Sequence, residues 1–323
     1  MRTNTGPQTT ESAPACERPT LRDVSACRID RPGADEPVDP ALQNHAGPLL
    51  FVHVPKTAGS SLYSVLRTML KPTELLKLHP DVETLARIDA LPRRHADRLK
   101  MLYGHVDVHL AKRIVPLWQC VTLLRDPVDR IVSYYAFTKH MNSGANSELA
   151  RRTSIMQWID ALRLPETDNG MVRRFAGALP EAGIGGCTTQ MLERAKGNLA
   201  QFAAVGLTDR FDEFYAVLAN RLGLPMRTYV AAKVNAKRPR FDQLPAETLA
   251  ELERRNQLDR ELYRFGVKLF QQQLPRIDLA MEIEAFRSRC GDRSMRFRDA
   301  TRRVTFARWK KWRRRWSPYP FLG

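Results

Sequence analysis

The feature that most constrains the fold is a short apolar run that leads, through a loop of small residues, into an amphipathic helix. The run LLFVHV at 49–54 is partly β-branched and ends at Pro55, which is the pattern of a buried strand. From Ser60 onward, apolar residues recur at three- and four-residue spacing, as on one face of a helix. A strand that passes directly into a helix is the unit from which parallel sheets are built.

The same alternation continues along the first half of the chain. Apolar runs predict further buried strands near 99–105, 119–125 and 203–208, and the spacing predicts a helix over 127–140. After about residue 150, amphipathic spacing predicts helices near 154–164, 169–176, 188–200, 209–222, 245–254 and 257–273. We therefore expect an α/β chain with a P-loop-like three-layer fold, a central parallel sheet with right-handed crossovers, and a helix-rich C-terminal half.

Composition divides the chain into three parts. Residues 1–48 hold 7 of the 21 prolines without apolar periodicity, so we expect a flexible leader before a domain at 49–275. The chain has 52 Lys and Arg against 35 Asp and Glu, a net charge of +17. Residues 285–323 alone contribute 13 basic and 2 acidic side chains, so 276–323 is predicted to be a basic, helical, Trp-rich extension.

Composition also narrows the class of protein. A hydrophobic content of 43% excludes a wholly disordered chain. No apolar run approaches the ~18–20 residues of a membrane span, and no signal pattern opens the chain. The five cysteines lie far apart without a CxxC pair, so neither a disulfide framework nor a zinc site is indicated. These features predict a cytoplasmic protein without a metal.

The loop after the first strand, PKTAGSS, has the composition of an anion-binding site. The amides at a helix N-terminus carry partial positive charge, and small residues let the backbone approach an anion closely. The predicted anion-binding residues are Pro55, Lys56, Thr57, Ala58, Gly59, Ser60 and Ser61. Lys56 stands at the start of the loop, whereas a Walker A loop carries its lysine near the end, so nucleoside triphosphate hydrolysis is disfavoured. An ordinary capped turn is the structural alternative.

A second candidate anion site follows the strand at 119–125. Arg125 stands at the end of the strand, and Ser133 lies eight residues later on the next helix. Their guanidinium and hydroxyl could converge on one phosphate. The alternative is that Arg125 and Arg130 form surface ion pairs with neighbouring aspartates. Loops at the carboxyl ends of adjacent parallel strands are where α/β sheets bind nucleotides, which favours the phosphate site.

Together, the segments FVHVPKTAGSSL and CVTLLRDPVDRIVSYY resemble the two cofactor signatures of carbohydrate sulfotransferases that use PAPS, 3′-phosphoadenosine 5′-phosphosulfate. The similarity is to the membrane-type family that includes uronyl and heparan sulfate 2-O-sulfotransferases, and it extends in looser form to about residue 273. It implies that residues 56–61 hold the 5′-phosphosulfate while Arg125 and Ser133 hold the 3′-phosphate. It also implies that Asn235 and Lys237 lie in a basic loop over the 3′-phosphate.

Sulfuryl transfer needs a cation on the leaving phosphate and a general base for the acceptor hydroxyl. Lys56 suits the first role. His105, at the end of the strand near 99–105, is the candidate base because a neutral imidazole accepts a proton near pH 7. A histidine hydrogen-bonded inside the fold is the alternative. His53, within a buried strand, is expected to be structural, and His140 is the reserve base.

Several residues bear on the acceptor. Uronyl 2-O members of the family often have His-Gly-His where this chain has Tyr-Gly-His at 103–105, which argues against a uronic acid acceptor. Asn169 and Arg173 are predicted to contact the acceptor, with a solvated helix face as the alternative.

The C-terminal extension places Trp309, Trp312 and Trp316 along one helix face among basic residues. Residues 302–323 therefore suit an anionic membrane surface, at the inner face of the membrane for a cytoplasmic protein. A glycan is a second polyanion, nucleic acid is less favoured, and docking of the tryptophans on the protein body is the structural alternative.

The sequence as a whole predicts a PAPS-dependent sulfotransferase that acts on a hydroxyl of a glycan or glycolipid-type acceptor. Two other functions stay open. One is a catalytically silent module that binds polyanions or membranes, and the other is a kinase-like P-loop enzyme.

Overall fold

A computed structural model describes residues 47–78, 83–141, 144–179, 182–224 and 244–273. Its centre is a sheet formed by β1 (Leu49–Val52), β2 (Leu75–Leu78), β3 (Met101–Gly104), β4 (Cys120–Leu124) and β5 (Ala204–Leu207). All neighbouring strands are parallel, and their spatial order is β2-β3-β1-β4-β5. The predicted central parallel sheet is thus confirmed.

Helices surround the sheet and dominate the second half of the chain. Before β5 these are α1 (Gly59–Met69), α2 (Glu83–Asp89), α3 (Arg93–Ala96), α4 (Val108–Ile114), α5 (Pro127–Lys139), α6 (Ala145–Arg152), α7 (Ile155–Leu162), α8 (Gly170–Ala176) and α9 (Thr189–Leu199). After β5 follow α10 (Phe211–Arg221), α11 (Ala246–Arg255) and α12 (Gln257–Gln273). Short 3₁₀ turns lie at Leu117–Gln119, Pro165–Thr167 and Thr208–Arg210. Each helix predicted after about residue 150 is confirmed, with its ends within about two residues.

The edge strand β2 has no counterpart among the sequence predictions. It is only four residues long, and its third residue is Lys77. The strand forms because its backbone pairs along β3, where Leu76 lies opposite Leu102. The pairing partner, rather than a pattern of its own, defines such a short strand. Helices α2, α3, α4 and α6 were likewise not predicted.

The strand order creates a crevice between β1 and β4. The chain leaves β1 through α1 towards β2 at one edge, whereas it leaves β4 towards β5 at the other edge. Adjacent parallel strands whose connections diverge open a crevice at their carboxyl ends, and α/β sheets bind ligands there. Both predicted anion sites follow these two strands.

Two packing contacts hold the walls of this crevice. An added Cβ at Gly266 of α12 would lie 2.2 Å from Cδ1 of Leu124, so glycine allows the helix to pack closely on β4. On the other side, the fully buried Trp158 of α7 makes edge contacts with Tyr134 and Tyr135 of α5. Helix α5 is therefore fixed in place by its aromatic contacts.

Some predictions fall on residues that the structure does not describe. These are the leader up to residue 46, Asn235, Lys237 and the extension 276–323. Among the described helices, none has the length and apolar character needed to cross a membrane.

Candidate active site

The loop after β1 turns sharply because two of its residues adopt a left-handed backbone conformation. Lys56 has φ 69° and Ala58 has φ 61°, a region that residues with a side chain rarely occupy. The hydroxyl of the buried Thr57 donates to the carbonyl oxygen of Val54 at 2.9 Å and closes the turn. Strained backbone of this kind clusters at ligand sites. The hydrogen of the Thr57 hydroxyl is committed to the loop itself.

Gly59, where α1 begins, packs directly on the imidazole of His53. A Cβ added at Gly59 would lie 1.9 Å from Nε2 of His53. His53 is buried, so a shift of its ring would disturb the surrounding packing. The loop therefore needs a glycine at this position because His53 lies directly beneath it.

Arg125 joins the two predicted anion sites. Its Nη1 donates to the carbonyl oxygen of Lys56 at 2.9 Å, and its Nε donates to Oδ2 of Asp129 at 2.6 Å. The predicted alternative, an ion pair with a neighbouring aspartate, is thus present together with the contact to the loop. The half-buried guanidinium is held at the crevice between β1 and β4.

One face of α5 is turned towards the loop. Asp129 contacts Arg125, and Nζ of Lys56 lies 3.8 Å from the centre of the Phe137 ring. Ser133 is half-buried and is one helical turn from Asp129 and one turn from Phe137, so it lies on the same face. The structure therefore brings Lys56, Arg125 and Ser133 to one crevice.

His105 follows β3 with an exposed side chain. Its Nδ1 lies 3.1 Å from the carbonyl oxygen of His53. Because a carbonyl oxygen only accepts hydrogen bonds, Nδ1 carries the proton in neutral His105, and Nε2 carries the lone pair. Nε2 has no hydrogen-bond partner within the described residues. His105 is thus hydrogen-bonded to the fold through one nitrogen and can accept a proton at the other.

His53 lies beneath His105. The two rings are stacked with their centroids 4.0 Å apart, and Nδ1 of His53 lies 3.0 Å from the hydroxyl of Tyr103. Burial lowers the pKa of His53 to about 2, and the charges of His105 and Arg174 act in the same direction. The pKa of His105 is lowered as well, first because one side of its ring is covered by the fold although the residue remains exposed, and next because of Arg174. Both imidazoles are therefore neutral near pH 7.

A cluster of three charged residues that contacts the turn after His105 is missing from the sequence-based candidates. Arg174 of α8 donates from Nη1 to the carbonyl oxygen of Val106 at 2.9 Å and from Nη2 to the carboxylate of Glu166. Arg130 of α5 lies 3.3 Å from the same carboxylate. Burial raises the pKa of Glu166, but the two arginines outweigh it and hold the pKa below its ordinary value. No local motif signals this cluster, because its members come from separate parts of the chain.

The prediction that Asn169 and Arg173 contact the acceptor is corrected by their surroundings. Arg173 is completely buried. Its guanidinium is bonded to Asp168, Ala182 and Gly183. Asn169 is buried as well, and its side chain is hydrogen-bonded to backbone groups at the end of α11 and the start of α12. Successive residues of a helix point about 100° apart, and Arg174 rather than Arg173 reaches the turn that follows His105.

The donors around the crevice suit a ligand with two separate anionic groups. The ammonium of Lys56 and the amides at the start of α1 belong to the loop after β1, whereas Arg125 and Ser133 belong to the segment after β4. Such charged donors make strong hydrogen bonds to phosphate and sulfate oxygens. In the described ranges there is no group of three or more His, Cys, Asp or Glu side chains that could hold a metal ion.

Comparison with known proteins agrees with this geometry. A family model described as the sulfotransferase family matches residues 40–176, the segment that contains the loop, His105, Arg125 and Glu166. A heparin sulfate O-sulfotransferase from Drosophila melanogaster is 24% identical over 198 residues, which is 54% of this chain and 55% of the relative. The chain thus spans about half the length of the curated relative it matches. The segment 40–176, which contains the loop after β1, Arg125 and His105, is thus similar to the sulfotransferase family.

Proposed function

We propose that this chain transfers the sulfuryl group of PAPS to a hydroxyl of a carbohydrate acceptor. The observation that carries the proposal is the hydrogen bond of 2.9 Å from Arg125 to the carbonyl oxygen of Lys56. It joins two anion-binding elements at the crevice between β1 and β4. PAPS carries anionic groups at the 5′ and 3′ positions of one nucleoside, so two adjacent anion sites suit it. The match of residues 40–176 to the sulfotransferase family supports the same donor.

Each anionic group of the donor has its own residues. Lys56 and the amides at the start of α1 bind the 5′-phosphosulfate, whereas Arg125 and Ser133 bind the 3′-phosphate. By resemblance to the family, Asn235 and Lys237 add to the 3′-phosphate site. Lys56 also neutralises the charge that develops on the 5′-phosphate oxygen as its bond to sulfur breaks.

His105 acts as the general base. Its Nε2 takes the proton of the acceptor hydroxyl while the acceptor oxygen forms its bond to sulfur and the bond from sulfur to the 5′-phosphate oxygen breaks. The hydrogen bond from Nδ1 to the carbonyl oxygen of His53 persists and keeps the ring oriented when it becomes an imidazolium. The chain's contribution is positioning and charge stabilisation, as in phosphoryl transfer.

We propose a glycan or a glycolipid as the acceptor. The relative's name, heparin sulfate O-sulfotransferase, supports a carbohydrate. The hydroxyl of Tyr103 is hydrogen-bonded to Nδ1 of His53, so Tyr103 does not act as a second base beside His105. For residues 302–323, our proposal is contact with an anionic membrane at its cytoplasmic face, which would bring the enzyme to a lipid-linked acceptor.

The binding test is calorimetric titration of the full chain with PAP, the desulfated product, and with ADP. We expect PAP to bind and ADP to bind at least about tenfold more weakly, because ADP lacks the 3′-phosphate. Arg125→Ala should weaken PAP binding by about tenfold or more, since it removes a charged hydrogen-bond donor. Arg254→Ala, at an exposed position on α11, is the matched control and should bind as the parent does.

Turnover separates the proposal from its alternatives. Labelled PAPS should transfer sulfate to a member of a glycan and glycolipid panel, and His105→Gln should abolish transfer while PAP still binds. Equal affinity for ADP and PAP would favour a kinase-like enzyme. Glycan or lipid binding without turnover in the parent, and unchanged in Lys56→Ala, would favour a silent binding module.

A further inference from the structure

Arg174 and Glu166 form a charged pair beside His105 that takes no part in the two anion sites. Arg174 is 3% exposed, and its two terminal nitrogens bond to the carbonyl oxygen of Val106 and to the Glu166 carboxylate. Val106 directly follows His105 in the turn between β3 and α4. Arg174 therefore connects α8 to the turn that carries the proposed base.

A contribution to folding stability does not explain why the pair of Arg174 and Glu166 is present. Taking charges out of water costs free energy that a buried ion pair at best recovers. Nε of Arg174 is also buried without a hydrogen-bond partner in the described part of the chain, which adds to the cost. Arg130 supports the far side of the pair, donating from Nη2 to the backbone carbonyl of Glu166 at 2.6 Å. A costly and firmly held arrangement next to a reactive group indicates a role in the chemistry.

We propose that Arg174 is a positioning residue for His105: it anchors the turn after β3 through Val106 and presents a cation to the imidazole, so that His105 stays an unprotonated acceptor. The inference rests on the proposed function, because an unprotonated His105 matters only if the chain removes a proton from a hydroxyl. Glu166 holds the Arg174 guanidinium in place and moderates its charge.

Four groups act on the charge of His105: His53 just after β1, Lys77 of β2, Arg174 of α8 and Glu166 of the turn Pro165–Thr167. His53 is neutral and accepts a hydrogen bond through its backbone carbonyl. The cations of Arg174 and Lys77 oppose a positive charge on the imidazole, whereas Glu166 favours one. Apart from burial, Arg174 is the strongest of the influences that lower the pKa of His105. The two members of the pair therefore act on His105 with opposite signs.

The experiment uses these opposite signs. His105 is titrated by NMR in the full chain carrying ¹³C-labelled histidine, and its signal is assigned with His105→Gln. Arg174→Met should move the midpoint of the titration to higher pH, because a nearby cation is lost. Glu166→Gln should move it to lower pH, because an anion is lost. Arg174→Lys keeps the charge and should keep the midpoint low, and Arg254→Met on exposed α11 should leave it unchanged.

Turnover provides the second measurement. The acidic limb of the kcat/KM profile should follow the NMR midpoint in each variant. Arg174→Lys should lower kcat by about tenfold, because one ammonium cannot hold both Val106 and Glu166, while PAP affinity changes by less than about twofold. If Arg174→Met does not fold, Glu166→Gln and Arg174→Lys still carry the test.

The outcomes separate the inference from the function. Midpoints that move in the same direction, or not at all, in Arg174→Met and Glu166→Gln would overturn the inference even if the parent transfers sulfate. If the midpoints of the two variants move in opposite directions but the parent transfers no sulfate, the electrostatic role of Arg174 is supported and the proposed function is rejected.

Discussion

The imidazole of His105 is stacked on that of His53 at 4.0 Å between centroids, and its Nδ1 is hydrogen-bonded to the carbonyl oxygen of the same residue. His53 thus supports the proposed base from below and fixes its tautomer through the backbone. The same side chain lies against Gly59, where α1 begins. One buried histidine therefore connects the loop after β1 with the proposed base after β3.

The first prediction concerns stability in acid. The pKa of His53 falls from 6.5 to about 2 on folding, because burial disfavours the imidazolium. Between pH 6.5 and about pH 2, His53 is therefore protonated in the unfolded chain but neutral in the folded chain. The free energy of unfolding accordingly declines as the pH falls below about 6.5. The contribution is about 1.4 kcal/mol per pH unit, or about 2 kcal/mol between pH 7 and pH 5.

Urea unfolding at pH 7 and pH 5 measures this contribution. His53→Gln should lose less stability between the two pH values than the parent does, by about 2 kcal/mol. His109→Gln, at an exposed position on α4, is the control and should retain the parental difference. An equal loss in His53→Gln and the parent would contradict a buried, neutral His53.

The second prediction compares two glycines that begin or lie within helices. Gly59→Ala places a methyl group 1.9 Å from Nε2 of His53, so the loop or the buried imidazole must shift. We expect a loss of about 1–3 kcal/mol in unfolding free energy and weaker PAP binding. Gly197→Ala on α9 meets nothing within 4 Å and should stabilise the chain by about 0.5–1 kcal/mol. Denaturant unfolding measures the change in unfolding free energy in both variants. If Gly59→Ala is not destabilised, the close packing of Gly59 on His53 is refuted.

Local sequence patterns predicted most of the sheet and brought both candidate anion-binding segments to the crevice between β1 and β4. Each pattern lies within about fifteen residues, because a strand, its turn and the next helix are consecutive in the chain. The two patterns are the run 49–54 with its loop and the run 119–125 with Arg125. The contact between Arg125 and Lys56 follows from the parallel pairing of β1 with β4. Neighbouring parallel strands end at the same edge of a sheet.

The charged cluster behind His105 could not be predicted in this way. Arg130, Glu166 and Arg174 become neighbours only when α5, α8 and the turn between α7 and α8 pack together. Periodicity identified the helix at 170–176 but not which of two consecutive arginines faces the base. A helix with every residue buried gives no amphipathic signal for its orientation.

The third prediction concerns Arg130, which is completely buried between two carboxylates. Its guanidinium lies 3.3 Å from Glu166 and 3.5 Å from Asp259 of α12. Arg130→Met leaves both carboxylates with less positive charge, and we expect the unfolding free energy to fall by about 3–5 kcal/mol. Arg254→Met removes an exposed ion pair with Glu251 and should leave the unfolding free energy nearly unchanged. Urea unfolding at pH 7 compares the two variants. A similarly small loss of unfolding free energy in both would show that the core does not need Arg130.

The last prediction separates binding of the donor from catalysis at Lys56. Its ammonium lies over the ring of Phe137 and belongs to the loop at the carboxyl end of β1. If Lys56 acts on the charge that develops on the leaving phosphate, its removal should cost more in the transition state than in the bound product. Lys56→Met should therefore lower kcat by about 10²–10³-fold, while the Kd for PAP rises by no more than about tenfold.

The matched control for Lys56→Met is Lys139→Met, because Lys139 also lies over an aromatic ring of α5. Its Nζ is 5.6 Å from the centroid of the Tyr135 ring. We expect parental kcat and PAP affinity in that variant, since Lys139 lies outside the loop. Single-turnover transfer from labelled PAPS and calorimetry with PAP give the two quantities separately. Equal losses in kcat and PAP affinity in Lys56→Met would mean that Lys56 only binds the donor, and the stabilisation of the leaving phosphate would then fall to the amides of α1.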